Sequence, residues 1–191
     1  AKFESLVENL GAEKGAIVPI IGDLTKAKLG VTPAQQKLLT GKIKHFFHLA
    51  AIYDVEADDE TNHAVNVEGT RHALQFAEAI KAGCFHHVSS IAAAGRYPGV
   101  FKEDMFDEAE GLDHPYYRTK HESEGLVRKD AKIPFRIYRP AIVIGHSKTG
   151  EIDKIDGPYY FFRLIKRMRE YLPKWMPTVG IEGARVNVVP V

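Results

Sequence analysis

Tyr116 and Lys120 stand four residues apart, just after His114-Pro115, at the start of a segment with helical spacing. On a helix their side chains share one face. A phenol is a poor acid at neutral pH, but an ammonium ~5 Å away at an effective dielectric near ~20 favours the phenolate by roughly 3 kcal/mol. Tyr116 is therefore a candidate to exchange a proton with a substrate oxygen. Earlier in the chain, His87-Val88-Ser89-Ser90 reads as the end of a strand, where a hydroxyl can hold that same oxygen. These residue types are the parts of one proton relay, although Tyr-x-x-x-Lys alone is more often a surface pair on a helix.

Positioning them requires alternating strands and helices. Apolar runs of strand length lie at Ile17 to Ile21, His45 to Leu49, Phe85 to Ser89, Phe135 to Tyr138 and Ile142 to Ile144. Between them, Asn62 to Ala82 reads as one long helix with Ala64, Val67, Ala73, Leu74, Ala77 and Ile80 on its buried stripe. Pro115 suits the first turn of a helix running to about Arg128. Strands joined by helices predict right-handed crossovers and a parallel sheet. Ligands should then gather at the strands' carboxyl ends, where Ala50, Ser90 and Pro140 fall.

The order of these segments resembles the short-chain dehydrogenase/reductase family in its extended branch. Gly22-Asp23-Leu24 follows a strand-like run, as the family's adenine-contacting Asp does. Phe47-His48-Leu49-Ala50-Ala51 is similar to the branch's strand-ending motif. Asn66-Val67-Glu68-Gly69-Thr70 resembles its Asn-Val-x-Gly-Thr helix, and Val88-Ser89-Ser90-Ile91-Ala92-Ala93-Ala94-Gly95 its serine strand. Arg139-Pro140-Ala141-Ile142-Val143-Ile144-Gly145 resembles the segment flanking the nicotinamide. The resemblance implies an α/β fold, a doubly wound parallel sheet of Rossmann type, and NADP or NAD as cofactor, with NADP ahead. It implies that Asp23, Leu24, Leu49, Ala50, Ala51, Ser89, Tyr116, Lys120, Pro140, Ala141, Ile142 and Val143 meet the cofactor. Counting back from Gly95 by the family spacing gives the catalytic hydroxyl to Ser90. Tyr116 is then the general acid, Lys120 its partner on the nicotinamide ribose, and Asn66 the holder of a relay water.

Two departures accompany the match. No strand followed by Gly-x-x-Gly-x-x-Gly opens the chain; Phe3 to Leu10 is an amphipathic helical piece, and glycines 11, 15 and 22 do not form the fingerprint. Val188-Val189-Pro190-Val191 ends abruptly. The fold is expected to be incomplete at both ends, with residues 1–191 forming one cofactor-binding domain fragment and 146–191 leading into the substrate-binding region.

Composition sets the remaining bounds. A chain of 191 residues with 45% hydrophobic and 27% charged residues can bury one core. A net charge of +1 argues against a nucleic acid partner. The single cysteine, Cys84, excludes an internal disulfide and suits a reducing compartment. No apolar run reaches the ~20 residues that span a bilayer, so a cytoplasmic location is expected. The expected partner is a small-molecule substrate, and a homo-oligomer is compatible with the sequence.

Other motifs carry less. Gly145 to Gly150 imitates a phosphate loop but continues as Glu151-Ile152, without the Lys and Ser or Thr that hold phosphate and magnesium. Adjacent His86 and His87 point to opposite faces of a strand, and no zinc-like spacing is present, so no metal is expected. Arg163, Lys166, Arg167 and Arg169 near Trp175 read as the polar side of a helix whose Phe161, Phe162, Leu164, Ile165 and Met168 pack inward. The acids Glu103, Asp104, Asp107, Glu108 and Glu110 of the 96–114 insertion read as a solvated face.

Ala50 to Asp54, Gly145 to Ser147 and the aromatic run from Tyr159 to Phe162 look most like thioester-reductase and fatty-acyl reductase relatives. This implies reduction of an apolar carbonyl or acyl thioester. A nucleotide-sugar epimerase or dehydratase is the alternative, and a non-catalytic cofactor-binding or interaction domain the second.

Overall fold

The computed structural model describes residues 2–13, 15–52, 58–152, 158–171 and 188–190. The chain divides into two compact units, Ala1–Arg139 and Pro140–Val191.

The first unit opens with α1 (Lys2–Asn9) and α2 (Pro33–Leu39). Thr32 caps α2: its hydroxyl accepts the N–H of Gln35, whose side chain accepts the N–H of Thr32, with Pro33 at the first helical position. β1 (His45–His48) follows, then α3 (Asp59–Asn62), a π-helical stretch His63–Glu68 and α4 (Gly69–Ala79). β2 (Cys84–Val88), a 3-10 turn Ile91–Ala94, α5 (Pro115–Asp130) and β3 (Phe135–Tyr138) complete the unit. The sheet order is β1-β2-β3, every pair parallel, with Phe46, Phe85 and Phe135 in register.

Alternation along the strands separates the two sheet faces. Phe46, His48, Phe85 and His87 share one face, and Phe46 meets Phe76 of α4 edge-on at 5.8 Å. Ala73, Leu74, Ala77 and Ile80, Phe85, and Leu126 and Val127 of α5 close the core on that side. The other face carries His45, Phe47, His86 and Tyr138, with Phe47 and Tyr138 exposed.

Two expectations about this unit change. Ile17 to Ile21 forms no strand: Pro19 lacks a donor, and Val18, Ile20 and Ile21 are exposed without a ladder partner among the described residues. The long helix expected from Asn62 begins at Asp59, where the Asp58 carboxylate accepts the N–H of Thr61 at 2.7 Å, and is interrupted by the π stretch. Of its expected stripe, Val67, Ala73, Leu74, Ala77 and Ile80 are buried and Ala64 is half-buried.

In the second unit β4 (Ile142–Ile144) pairs in parallel with β5 (Val188–Pro190), and α6 spans Pro158–Tyr171. Phe162, Leu164 and Ile165 of α6 do not pack inward but are exposed. The amphipathic spacing gave the helix, not a partner for its apolar stripe. Tyr53, Asp54, Lys154, Ile155 and Trp175, and the side chains of Phe161 and Arg163, lie outside the described residues.

Candidate active site

Adjacent serines leave β2 with different environments. Ser89 is buried and its hydroxyl donates to the Glu124 carboxylate at 2.8 Å. Ser90 is half-buried and caps the 91–94 turn, accepting the Ala92 N–H at 3.1 Å. That bond uses a lone pair, so the Ser90 hydroxyl proton is free to donate.

Helix α5 is held against this turn. Lys120, buried at 4% exposure, donates from Nζ to the Val88 carbonyl at 3.1 Å. One residue on, His121 Nδ1 donates to the Ala93 carbonyl at 3.0 Å, and its ring stacks on Phe106 at 4.1 Å. Burial draws the Lys120 pKa down to about 8, with the Glu124 charge pulling the other way. Tyr116 lies one helical turn before Lys120 and is half-buried. Gly95 makes the packing of the insertion against the turn feasible: its φ is +63°, and a Cβ there would lie 2.0 Å from the Glu110 carbonyl oxygen.

Asn66 is buried and uses its amide on protein groups. Its Oδ1 accepts the Ile52 N–H at 2.9 Å, while Nδ2 donates to the Ile52 carbonyl at 3.1 Å and to Thr119 Oγ1 at 3.2 Å. It thus ties the stretch after β1 (Leu49, Ala50, Ala51) to the residue beside Lys120. Leu49 and Ala50 are exposed and Ala51 half-buried at this strand end.

Asp23 and Leu24 line an open groove with Ile21, Gly22, Leu29 and Gly30. The Asp23 carboxylate accepts from the Thr25 hydroxyl at 2.6 Å and the Thr25 N–H at 2.9 Å, which hold its pKa below the usual carboxylate range. His72 Nδ1 donates to the Leu24 carbonyl at 2.7 Å and anchors the groove to α4. A groove with an exposed carboxylate and a strand end with the small, exposed Ala50 fit a dinucleotide, whose approach needs open backbone. Pro140, Ala141, Ile142 and Val143 belong to the second unit, the last two within β4.

Sequence reasoning missed a hub of charged groups around Glu124. Glu124, fully buried, accepts from Arg139 Nη2 at 2.6 Å and Nε at 3.0 Å, from Arg128 Nε at 2.9 Å and from Ser89. Burial opposes ionisation of its carboxyl, but these donors outweigh it and hold the pKa below the usual range. Arg139 also donates to the carbonyls of Lys102 and Met105 at 3.1 and 2.7 Å, and its guanidinium lies 5.0 Å from the Phe101 ring centroid. The available signal was a Glu one turn after Lys120 on the same helix face. The histidines were also richer than expected. His48 donates from Nε2 to Thr70 Oγ1 at 3.0 Å, since the Thr70 proton goes to the Asn66 carbonyl. Neither nitrogen of buried His87 meets a partner among the described residues. Burial first, and then the Lys120 charge, lower the pKa of His48 to about 4 and of His87 to about 2.

The non-ribosomal peptide synthetase FrzA of Cladobotryum sp, described as non-canonical, is 30% identical over 165 residues, covering 81% of this chain and 16% of FrzA. A putative fatty acyl-CoA reductase of Drosophila melanogaster, CG8306, is 29% identical over 191 residues, or 84% of this chain and 37% of that protein. The crystal structure of the terminal R domain from the myxalamid PKS-NRPS biosynthetic pathway aligns with a TM-score of 0.70 and 28% identity, covering 91% of this chain and 43% of that one. The chain thus spans less than half of each. Residues 2–191 match the NAD-binding family described as "Male sterility protein". With its parallel sheet, its strand-end serines and its Tyr-x-x-x-Lys helix, the chain belongs to that family of extended short-chain dehydrogenase/reductases.

Proposed function

We propose that the protein is an NAD(P)-dependent reductase in which Ser90, Tyr116 and Lys120 act on an apolar carbonyl or acyl thioester. The observation that carries this reading is the pinning of α5 to the serine turn by buried Lys120, one helical turn behind Tyr116. The bound nicotinamide supplies the hydride. Ser90 donates a hydrogen bond from its free hydroxyl to the substrate oxygen and orients it, keeping its proton. Tyr116 gives that oxygen a proton from its phenol. Lys120, with a pKa of about 8, takes up or releases a proton near neutral pH and contacts the nicotinamide ribose. Asn66 positions the relay by holding Ile52 and Thr119 in place. Asp23 and Leu24 take the adenine side, and Leu49 to Ala51 and Ser89 the middle of the dinucleotide. Pro140, Ala141, Ile142 and Val143 enter this reading by the resemblance of their segment alone.

The similarity to a putative fatty acyl-CoA reductase and to a terminal R domain supports an acyl substrate. So does apolar surface after Gly145, including Tyr160 and Phe162; burying a chain methylene contributes about 0.8 kcal/mol. NADPH is the proposed preferred reductant, and residues 146–191 lead into the substrate-binding region. The test is turnover of the full-length protein on acyl thioesters, aldehydes and nucleotide sugars with NADH and NADPH. Reduction of acyl thioesters or long-chain aldehydes is expected. Conversion of a UDP- or GDP-sugar without activity on the others would replace this reading with that of an epimerase or dehydratase.

A further inference from the structure

Helix α5 has an uncommon cap. His114 occupies the N-cap with extended backbone (φ −76°, ψ 131°), and its Nδ1 accepts the N–H of Tyr116 at 3.2 Å. Side-chain oxygens of Ser, Thr, Asp or Asn usually hold this place. Pro115 at the first helical position has no N–H, so the Tyr116 N–H is the first of the helix that needs an acceptor. The His114 carbonyl in turn accepts the Arg118 N–H at 3.0 Å, and its ring lies 5.3 Å from that of Tyr117. One residue therefore fixes the first turn through its ring and its backbone.

We infer that His114 is a positioning residue for Tyr116: unprotonated Nδ1 holds the turn that presents the phenol, and a proton on that nitrogen releases it. The inference rests on the reading of Tyr116 as proton donor. Two physical facts give the direction. A ring nitrogen carrying a proton donates and cannot accept, so protonation at Nδ1 leaves the Tyr116 N–H without its partner. An imidazolium would also set positive charge at the positive end of the helix dipole. The charged and titratable side chains beside His114 along the chain and on α5 are Asp113, Tyr116, Tyr117 and Arg118.

The experiment replaces the cap while leaving the phenol in place. In the full-length protein, kcat with NADPH and the best substrate of the panel is measured between about pH 5 and 9 for wild type, His114→Ala, His114→Ser and His114→Asp. Loss of a cap should lower kcat of His114→Ala about three- to tenfold, with the cofactor Kd unchanged. Ser and Asp should restore it to within about twofold, because an oxygen takes over the Tyr116 N–H. The acid limb of kcat should differ between wild type and His114→Ser, whose capping oxygen takes no proton in this range. If the Ala variant fails to fold, the Ser and Asp variants still decide through kcat and the acid limb. A Ser variant with the wild-type acid limb, or an Ala variant with wild-type kcat, overturns the inference. Near-normal turnover by Tyr116→Phe instead overturns the reading on which it rests, so the two failures are distinguishable.

Discussion

The two halves of α5 sit in one helix but are built for different ends. From Ser123 to Asp130 the helix buries Ser123, Glu124, Leu126 and Val127, and the Glu124 carboxylate is saturated by Ser89, Arg128 and Arg139. From Pro115 to Lys120, Tyr116 is half-buried, and buried Lys120 meets a backbone carbonyl while burial disfavours its charge. A saturated half stabilises the strand ends. The N-terminal half carries the groups proposed for the chemistry, among them a buried cation whose pKa is perturbed by its surroundings.

The contrast breaks most visibly at Glu124. Glu124→Ala should destabilise the protein by about 3–5 kcal/mol, because it leaves Arg139 partly buried without its counter-ion. Denaturant unfolding measures this, and a loss below about 1 kcal/mol would remove the hub from the account. Tyr116→Phe should do the reverse, lowering kcat by about 100-fold or more with stability and cofactor affinity nearly unchanged. Near-wild-type turnover in a steady-state assay would return Tyr116 to the status of a surface residue.

Lys120→Met sharpens the comparison. Turnover should fall as far as in Tyr116→Phe, yet thermal unfolding should stay at or above the wild-type midpoint, since the variant removes a cation that burial disfavours. A strongly lowered midpoint would show that Lys120 is structural. The buried imidazoles that feel the Lys120 charge give a pH effect. The folded pKa values of His48 and His87, about 4 and about 2, lie below the unfolded value near 6.5. Unfolding therefore takes up protons, and their share of stability, complete above about pH 6.5, is lost as pH falls below that, down to about 4 for His48 and about 2 for His87, at up to about 1.4 kcal/mol per pH unit for each histidine. His87→Phe should flatten that slope in urea titrations at several pH values. The smallest effect belongs to the exposed Arg71–Asp130 pair at 3.4 Å, where Arg71→Ala should cost less than about 1 kcal/mol.

Local patterns dictated much of this architecture. Apolar runs of strand length marked β1 and β2, the 3.6-residue stripe marked α4, and Pro115 marked the start of α5 with Tyr116 and Lys120 on one face. These follow from backbone geometry and need only near neighbours in the chain. The run Ile17 to Ile21 shows the limit, because a strand exists only with a partner to complete its ladder, and none pairs with it among the described residues. The same holds for Phe162 and Leu164, whose spacing set a helix but not what covers it.

Tertiary structure alone decided which polar groups meet. Thirty-five residues separate Ser89 from Glu124 and fifteen separate Glu124 from Arg139, so no local rule could pair them. It likewise set the different surroundings of Ser89 and Ser90, neighbours that the sequence could separate only by resemblance. Asn66 shows the same division: its helix was legible in the sequence, whereas its hydrogen bonds to Ile52 and Thr119 were not. The physical reason is range. Torsional preference and side-chain periodicity act over a few residues, while burial and the pKa of Lys120, Glu124 and His87 depend on groups that only the folded chain brings within hydrogen-bonding and Coulombic reach.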